Sequence, residues 1–463
     1  EMLRSLVGSE MCIRDRMCME QCAETEKSIL GDNHYCYART LSEIANLHYR
    51  AQQYPSAMEY GRHALHIQQQ TLGESHPDYA YSLYTLANCY AALGDYNKAI
   101  ELGTQALNIR KRISGENHPD YATALGNLAG YYYYSGDYAQ AVEAGTQASK
   151  IIKEALGEDH PFYATSLGNL ANSYSSSGDY NKAVEMGTQA SGIIKETLGE
   201  KHPSYTTSLN NLASYWLYSG DYAQAIEAGT QASKIIKETL GERHPSYASA
   251  LNNLASYYSS LGDYNKAIEM GTKALDIQRQ TLGERHPSYA TTSGNLARCY
   301  SSLGDYDKAV EMATQALNTI KEALGEKHPS YATASGNLAR YYSFLDDYNR
   351  AIEMETQALN IRKQTLGEKH PSYAASLGNL ANYYSSLGDC DKAVELGTQA
   401  SSIIKETLGG KHPSYAITLN NLANYYSSLG NYDKAIELET QAVDIIKEVL
   451  GRLHPDYATL SLI

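Results

Sequence analysis

Ten histidines in this chain stand directly before a proline, at His76, His118, His160, His202, His244, His286, His328, His370, His412 and His454, each 42 residues from the next. Histidine is the commonest metal-binding side chain, so a regular array of it invites a metal reading. If each interval is one helical unit, however, corresponding histidines lie about 10 Å apart, too far to share one ion. A helix-boundary role beside the proline fits the spacing better. Asp95, Asp137, Asp179, Asp221, Asp263 and Asp305 recur in the same way, and they read as helix N-caps rather than as paired general acids. The chain holds no G-x-x-x-x-G-K-[ST] phosphate loop, no H-E-x-x-H helix, no C-x-x-C pair and no G-x-S-x-G elbow. The expectation is a non-catalytic protein with no cofactor and no metal.

Two other series are better suited to binding. Asn127, Asn169, Asn211, Asn253, Asn295, Asn337, Asn379 and Asn421 hold one position in successive units. A carboxamide both donates and accepts, which matches the unpaired N–H and C=O groups of an extended peptide. The competing use is to bond neighbouring helices and specify their stacking. Three residues further on stand Asn46, Asn88, Gly130, Asn172, Ser214, Ser256, Arg298, Arg340, Asn382 and Asn424. Arg298 and Arg340 are the charged members, in adjacent units, and two guanidinium groups could anchor a partner's acidic side chain or C-terminal carboxylate. The bland alternative is a pair of solvated arginines balancing Glu311 or Glu353.

The elements that must hold these residues are spelled out between His244 and Arg285. Pro245 suits the first helical position. Tyr247, Leu251, Leu254, Ala255 and Tyr258 then follow at helical spacing. Gly262 stops that helix and Asp263 caps the next, whose stripe is Tyr264, Ala267, Ile268, Gly271, Ala274 and Ile277. Each unit is thus an antiparallel helical hairpin that buries its apolar faces only by stacking on neighbours, and the chain is an all-α solenoid. The Gly271 position reads Gly61, Gly103, Gly145, Gly187, Gly229, Gly271, Ala313, Glu355, Gly397 and Glu439. Close backbone approach explains the glycines, while the two glutamates point to partial exposure. Of the 42 tyrosines, pairs such as Tyr257-Tyr258 and Tyr425-Tyr426 end the first helices, as core packing or as walls of a groove.

Leu251, Leu254-Ala255, Tyr258, Ala267 and Ala274 resemble the tetratricopeptide repeat (TPR), which normally repeats at about 34 residues. The longer unit, with Leu-Gly-Glu-x-His-Pro between hairpins, is similar to the variant of kinesin light chains. The resemblance implies a right-handed superhelix of hairpins whose first helices line the concave surface. It also implies that asparagines in the ladder position hold a peptide backbone, as in the kinesin light chains and in the glycosyltransferase that modifies Ser/Thr with N-acetylglucosamine.

Four segments are expected. Residues 1–16 fit no repeat and look like translated adapter sequence. Residues 17–33 read as the second helix of a truncated hairpin, 34–453 as ten 42-residue hairpins, and 454–463 as the opening of an eleventh. The expected whole is a fragment of a longer protein. A net charge of −14 argues against a nucleic-acid partner, and no apolar run is long enough for a membrane span. Seven scattered cysteines form no disulfide framework, which suits a reducing, cytoplasmic setting; Cys22 falls at the buried-alanine position. Two functions remain open: a scaffold or cargo adaptor taking a peptide or partner domain, and the sensing arm of a larger signalling ATPase or protease.

Overall fold

The computed structural model describes residues 17–51 and 53–449. The expected segments 1–16 and 454–463 lie outside the described residues. Two compact units divide the chain, Glu1–Ile235 and Ile236–Ile463. Each is a series of antiparallel helical hairpins in which every second helix packs on its own first helix and on the first helix of the next hairpin. Among the described residues there is no strand.

The hairpin over 286–324 shows how the sequence builds this. His286 adopts an extended conformation, and its Nδ1 accepts the N–H of Ser288 at 3.2 Å, satisfying a donor that the first turn would leave unpaired. Helix Pro287–Ser302 begins on the proline, whose missing N–H costs nothing there. Gly304 turns the chain at φ 80°, and Asp305 Oδ1 accepts the N–H of Lys308 at 3.2 Å to open helix Tyr306–Leu324. The histidines therefore serve as caps. Replacing His286 with alanine is expected to cost about 1 kcal/mol in chemical denaturation, and added zinc should leave the wild-type midpoint unmoved. One turn departs from the pattern: Asp346 takes the left-handed conformation at φ 58° where glycine stands elsewhere, and its Oδ1 accepts from the Tyr348 hydroxyl at 2.8 Å.

Two sequence expectations are corrected. The first helix buries Tyr257 (3 % exposed) rather than Tyr258. Tyr258 is half-buried beneath the Lys266 ammonium, which sits 5.2 Å from its ring centre. Cys22 is exposed and its neighbour Ala23 is buried. Ala232 and Ala274, at the same repeat position, are covered by the first helix of their own hairpins. The helix over 17–30 is covered in the described residues only by the following hairpin, around Tyr37, Ala38 and Leu41.

Candidate peptide-binding face

The ladder position lies on the outward face of the first helices. Asn169 and Asn337 are exposed, and Asn127, Asn211, Asn253, Asn295, Asn379 and Asn421 are half-buried. Two members are engaged internally. Asn295 donates to Asn252 Oδ1 of the preceding hairpin at 3.1 Å, and Asn379 faces the carboxylate of Glu355. The carboxamides of Asn127, Asn169, Asn211, Asn253, Asn337 and Asn421 make no hydrogen bond within the described residues.

Stacking is specified three residues further along instead. The buried Tyr131 donates its hydroxyl to Asn88 Oδ1 of the preceding hairpin at 2.8 Å; Tyr215 does so to Asn172 at 2.6 Å and Tyr425 to Asn382 at 2.6 Å. Burial pushes all three phenols well above their usual range, so they remain proton donors. Each ring lies across a helix glycine: a Cβ on Gly103, Gly187 or Gly397 would sit 2.8, 2.8 or 2.9 Å from a ring carbon. At Gly61, Gly145 and Gly271 the close group is instead Leu86, Leu170 or Leu296, at 2.9, 3.3 and 2.8 Å, so the second helix carries glycine in mid-course where a neighbouring first helix presses against it. These struts were legible as a pairing of Asn with Tyr 43 residues later, a signal hidden by a repeat of 42. Changing Tyr425 to phenylalanine is expected to cost about 1 kcal/mol of stability, the worth of one buried hydrogen bond, read from a denaturant series.

Glu355 overturns the expectation of exposure. It is completely buried, and Arg362, one exposed edge away at 17 %, donates Nη1 to Glu355 Oε1 at 3.2 Å and also reaches Ser376 Oγ. Gly336 makes the room: a Cβ there would meet Glu355 Oε2 at 3.3 Å and Arg362 Nη2 at 3.4 Å. Burial raises the Glu355 carboxyl above its ordinary range, while Ser376 and Arg362 act the other way. Arg298 and Arg340 are both exposed and make no ion pair within the described residues. Arg340 lies 5.6 Å from the Tyr341 ring centre.

Two cavities open on this face. In the first unit, one of about 880 Å³ runs between helices Pro119–Ser135 and Pro161–Ser176 and includes Asn127 and Asn169. In the second unit, one of about 450 Å³ joins Asn337 and Arg340 to Asn379, Asn382 and Arg362. Arg298 does not line it, so the arginine facing Arg340 is Arg362, supplied by a second helix. No helix among the described residues is long and apolar enough to cross a membrane.

Capped helical hairpins stacked through tyrosine struts, with a polar face of first helices, define a helical-repeat protein. The tetratricopeptide repeat model matches residues 37–112, 78–154, 120–196, 207–280, 248–322, 289–364, 356–406 and 398–448, and the chain belongs to that family. Among solved structures, it is similar to a Podosopora anserina protein described as a kinesin light chain with nearly identical TPR-like repeats. That match has 33% identity and a TM-score of 0.41, over 44% of this chain and 97% of the other. It is also similar to BtubC (BKLC) from P. vanneervenii, at 24% identity and a TM-score of 0.43, over 51% of this chain and 92% of the other. RapI in its apo form aligns at 15% identity and a TM-score of 0.42, over 71% of this chain and 98% of the other. No curated protein matches the chain.

Proposed function

We propose that the chain is a non-catalytic interaction scaffold that binds extended peptide segments along the face of its first helices. One observation carries this: ladder carboxamides that reach solvent, two of them inside the larger cavity, have no partner among the described residues. A half-exposed amide with open donor and acceptor sites suits a peptide backbone, whereas a stacking residue would be satisfied internally, as Asn295 is. In the second unit, the exposed Arg340 gives the smaller cavity a guanidinium that fits an acidic side chain or C-terminal carboxylate, while Arg362 at the same cavity is held by Glu355. A cargo adaptor, the role suggested by the 42-residue unit with Leu-Gly-Glu-x-His-Pro, is the finer version of this reading.

The test uses a peptide selected on the wild-type chain from a display library. Changing Asn127 and Asn169 together to alanine should weaken its binding, each lost hydrogen bond contributing roughly 0.5–1.5 kcal/mol. The melting temperature should hold. A large drop in melting temperature with unchanged affinity would make these asparagines structural.

A further inference from the structure

At the junction of the hairpins opened by His118 and His160, both halves of the strut are missing. Gly130 stands where Asn88 and Asn172 accept a hydroxyl, and Ser173 stands where Tyr131 and Tyr215 supply the ring. An earlier junction that also lacks the tyrosine, with Cys89 in its place, is filled from another position: Tyr81 accepts from Asn46 Nδ2 at 3.0 Å. The residue corresponding to Tyr81 here is Thr165, which is too small to do the same. A cavity of about 880 Å³ lies at this junction, with Gly130, Ser173 and Thr165 in its lining. Gly126 and Gly130 face open space.

We propose that this cavity takes an apolar aromatic side chain, phenylalanine in type, from a bound peptide, at the junction where the chain's own tyrosine strut is missing. The inference rests on the peptide-scaffold reading and names the anchor that such a peptide must carry. Ala148, Ile152 and Leu170, which lies 3.3 Å from where a Cβ on Gly145 would stand, give the cavity an apolar wall for a ring. The free carboxamides of Asn127 and Asn169 stand at the same cavity to hold the backbone on either side. Charge narrows the partner further. Asp120 is the one lining residue that carries a full charge at neutral pH, with Arg110 Nη1 3.7 Å from its carboxylate, and the chain as a whole carries −14. Basic neighbours of the aromatic are favoured and acidic ones disfavoured.

The experiment measures binding of short acetylated, amidated peptides with a central phenylalanine flanked by lysine, by titration calorimetry on the full chain. Replacing that phenylalanine with alanine should weaken binding by about tenfold or more. Flanking glutamates should weaken it too, with the loss shrinking at high salt. Two variants fill the slot. Gly130→Asn with Ser173→Tyr rebuilds the strut found at the next junction, and Thr165→Tyr copies the earlier one at an exposed site that tolerates change. Either, folded by its helical circular dichroism, should abolish the preference for phenylalanine over alanine. Retention of that preference in a folded filled variant would overturn the proposal, as would equal binding of the phenylalanine and alanine peptides to the wild type. The two readings separate cleanly. If Asn127→Ala with Asn169→Ala weakens both peptides while phenylalanine gives no advantage, the scaffold stands and the slot falls. If phenylalanine is preferred but the asparagine changes do nothing, the slot stands and the backbone ladder falls.

Discussion

Changing Arg362 to alanine is expected to destabilise the second unit by roughly 3–5 kcal/mol at neutral pH, because it strands a fully buried Glu355 carboxylate. Changing Glu355 to glycine should cost less, since the freed guanidinium is already 17 % exposed and can swing into water. The double change Glu355→Gly with Arg362→Ile copies Gly397 and Ile404 of the next hairpin and should equal or exceed the wild type, as apolar replacement of a buried ion pair commonly does. Chemical denaturation of the single and double variants measures all three. An additive cycle, with no recovery in the double variant, would show that the two side chains are not coupled. The pair also has a pH signature. Burial raises the Glu355 carboxyl in the folded state, so the folded chain holds a proton that the unfolded chain has released. Glu355 therefore contributes stability that is present below the ordinary carboxylate range and lost as pH rises through the raised value. Across that window the wild type should lose stability relative to the double variant, and the cost of Arg362→Ala should grow.

Two glycines on helix Tyr180–Leu198 are expected to respond to alanine with opposite signs. A methyl on Gly187 would sit 2.8 Å from the Tyr215 ring, which its hydroxyl bond to Asn172 holds in place. Overpacking of about 1–3 kcal/mol outweighs a helix-propensity gain of about 1 kcal/mol. Gly192 is exposed and has nothing near its Cβ position, so alanine there gains the propensity of about 1 kcal/mol with no clash. Denaturation midpoints should bracket the wild type from both sides. Combining Gly187→Ala with Tyr215→Ser, the residue found at 173, should recover part of the loss by removing the ring. Equal midpoints for the two glycine variants would mean that the ring gives way freely and the strut holds nothing in place.

The sequence by itself determined the architecture, because every local signal repeats in phase. Proline opens each first helix from Pro77 onward, histidine and aspartate cap, glycine at φ near 85° ends a helix, and apolar residues recur at helical spacing. Caps and turns involve residues two to five apart, so their geometry is set by the local chain. The outward place of the ladder asparagines was legible for the same reason, as a matter of helix phase. What lies between hairpins was not. Whether Tyr257 or Tyr258 enters the core depends on which hairpin packs where, and the struts join residues 43 apart across a stacking interface. Glu355 looked exposed because a lone glutamate in a glycine column has no visible partner. Its partner, Arg362, is two turns away on the same helix, at a position that most hairpins fill with isoleucine. Only the tertiary structure shows that Gly336, on a different helix, vacates the space in which the two charges meet. It alone shows too that Gly130 and Ser173, unremarkable as small residues in two separate units, leave one and the same space unfilled. Local periodicity fixes each hairpin; the volume between hairpins depends on pairs of side chains that meet only once the stack has formed.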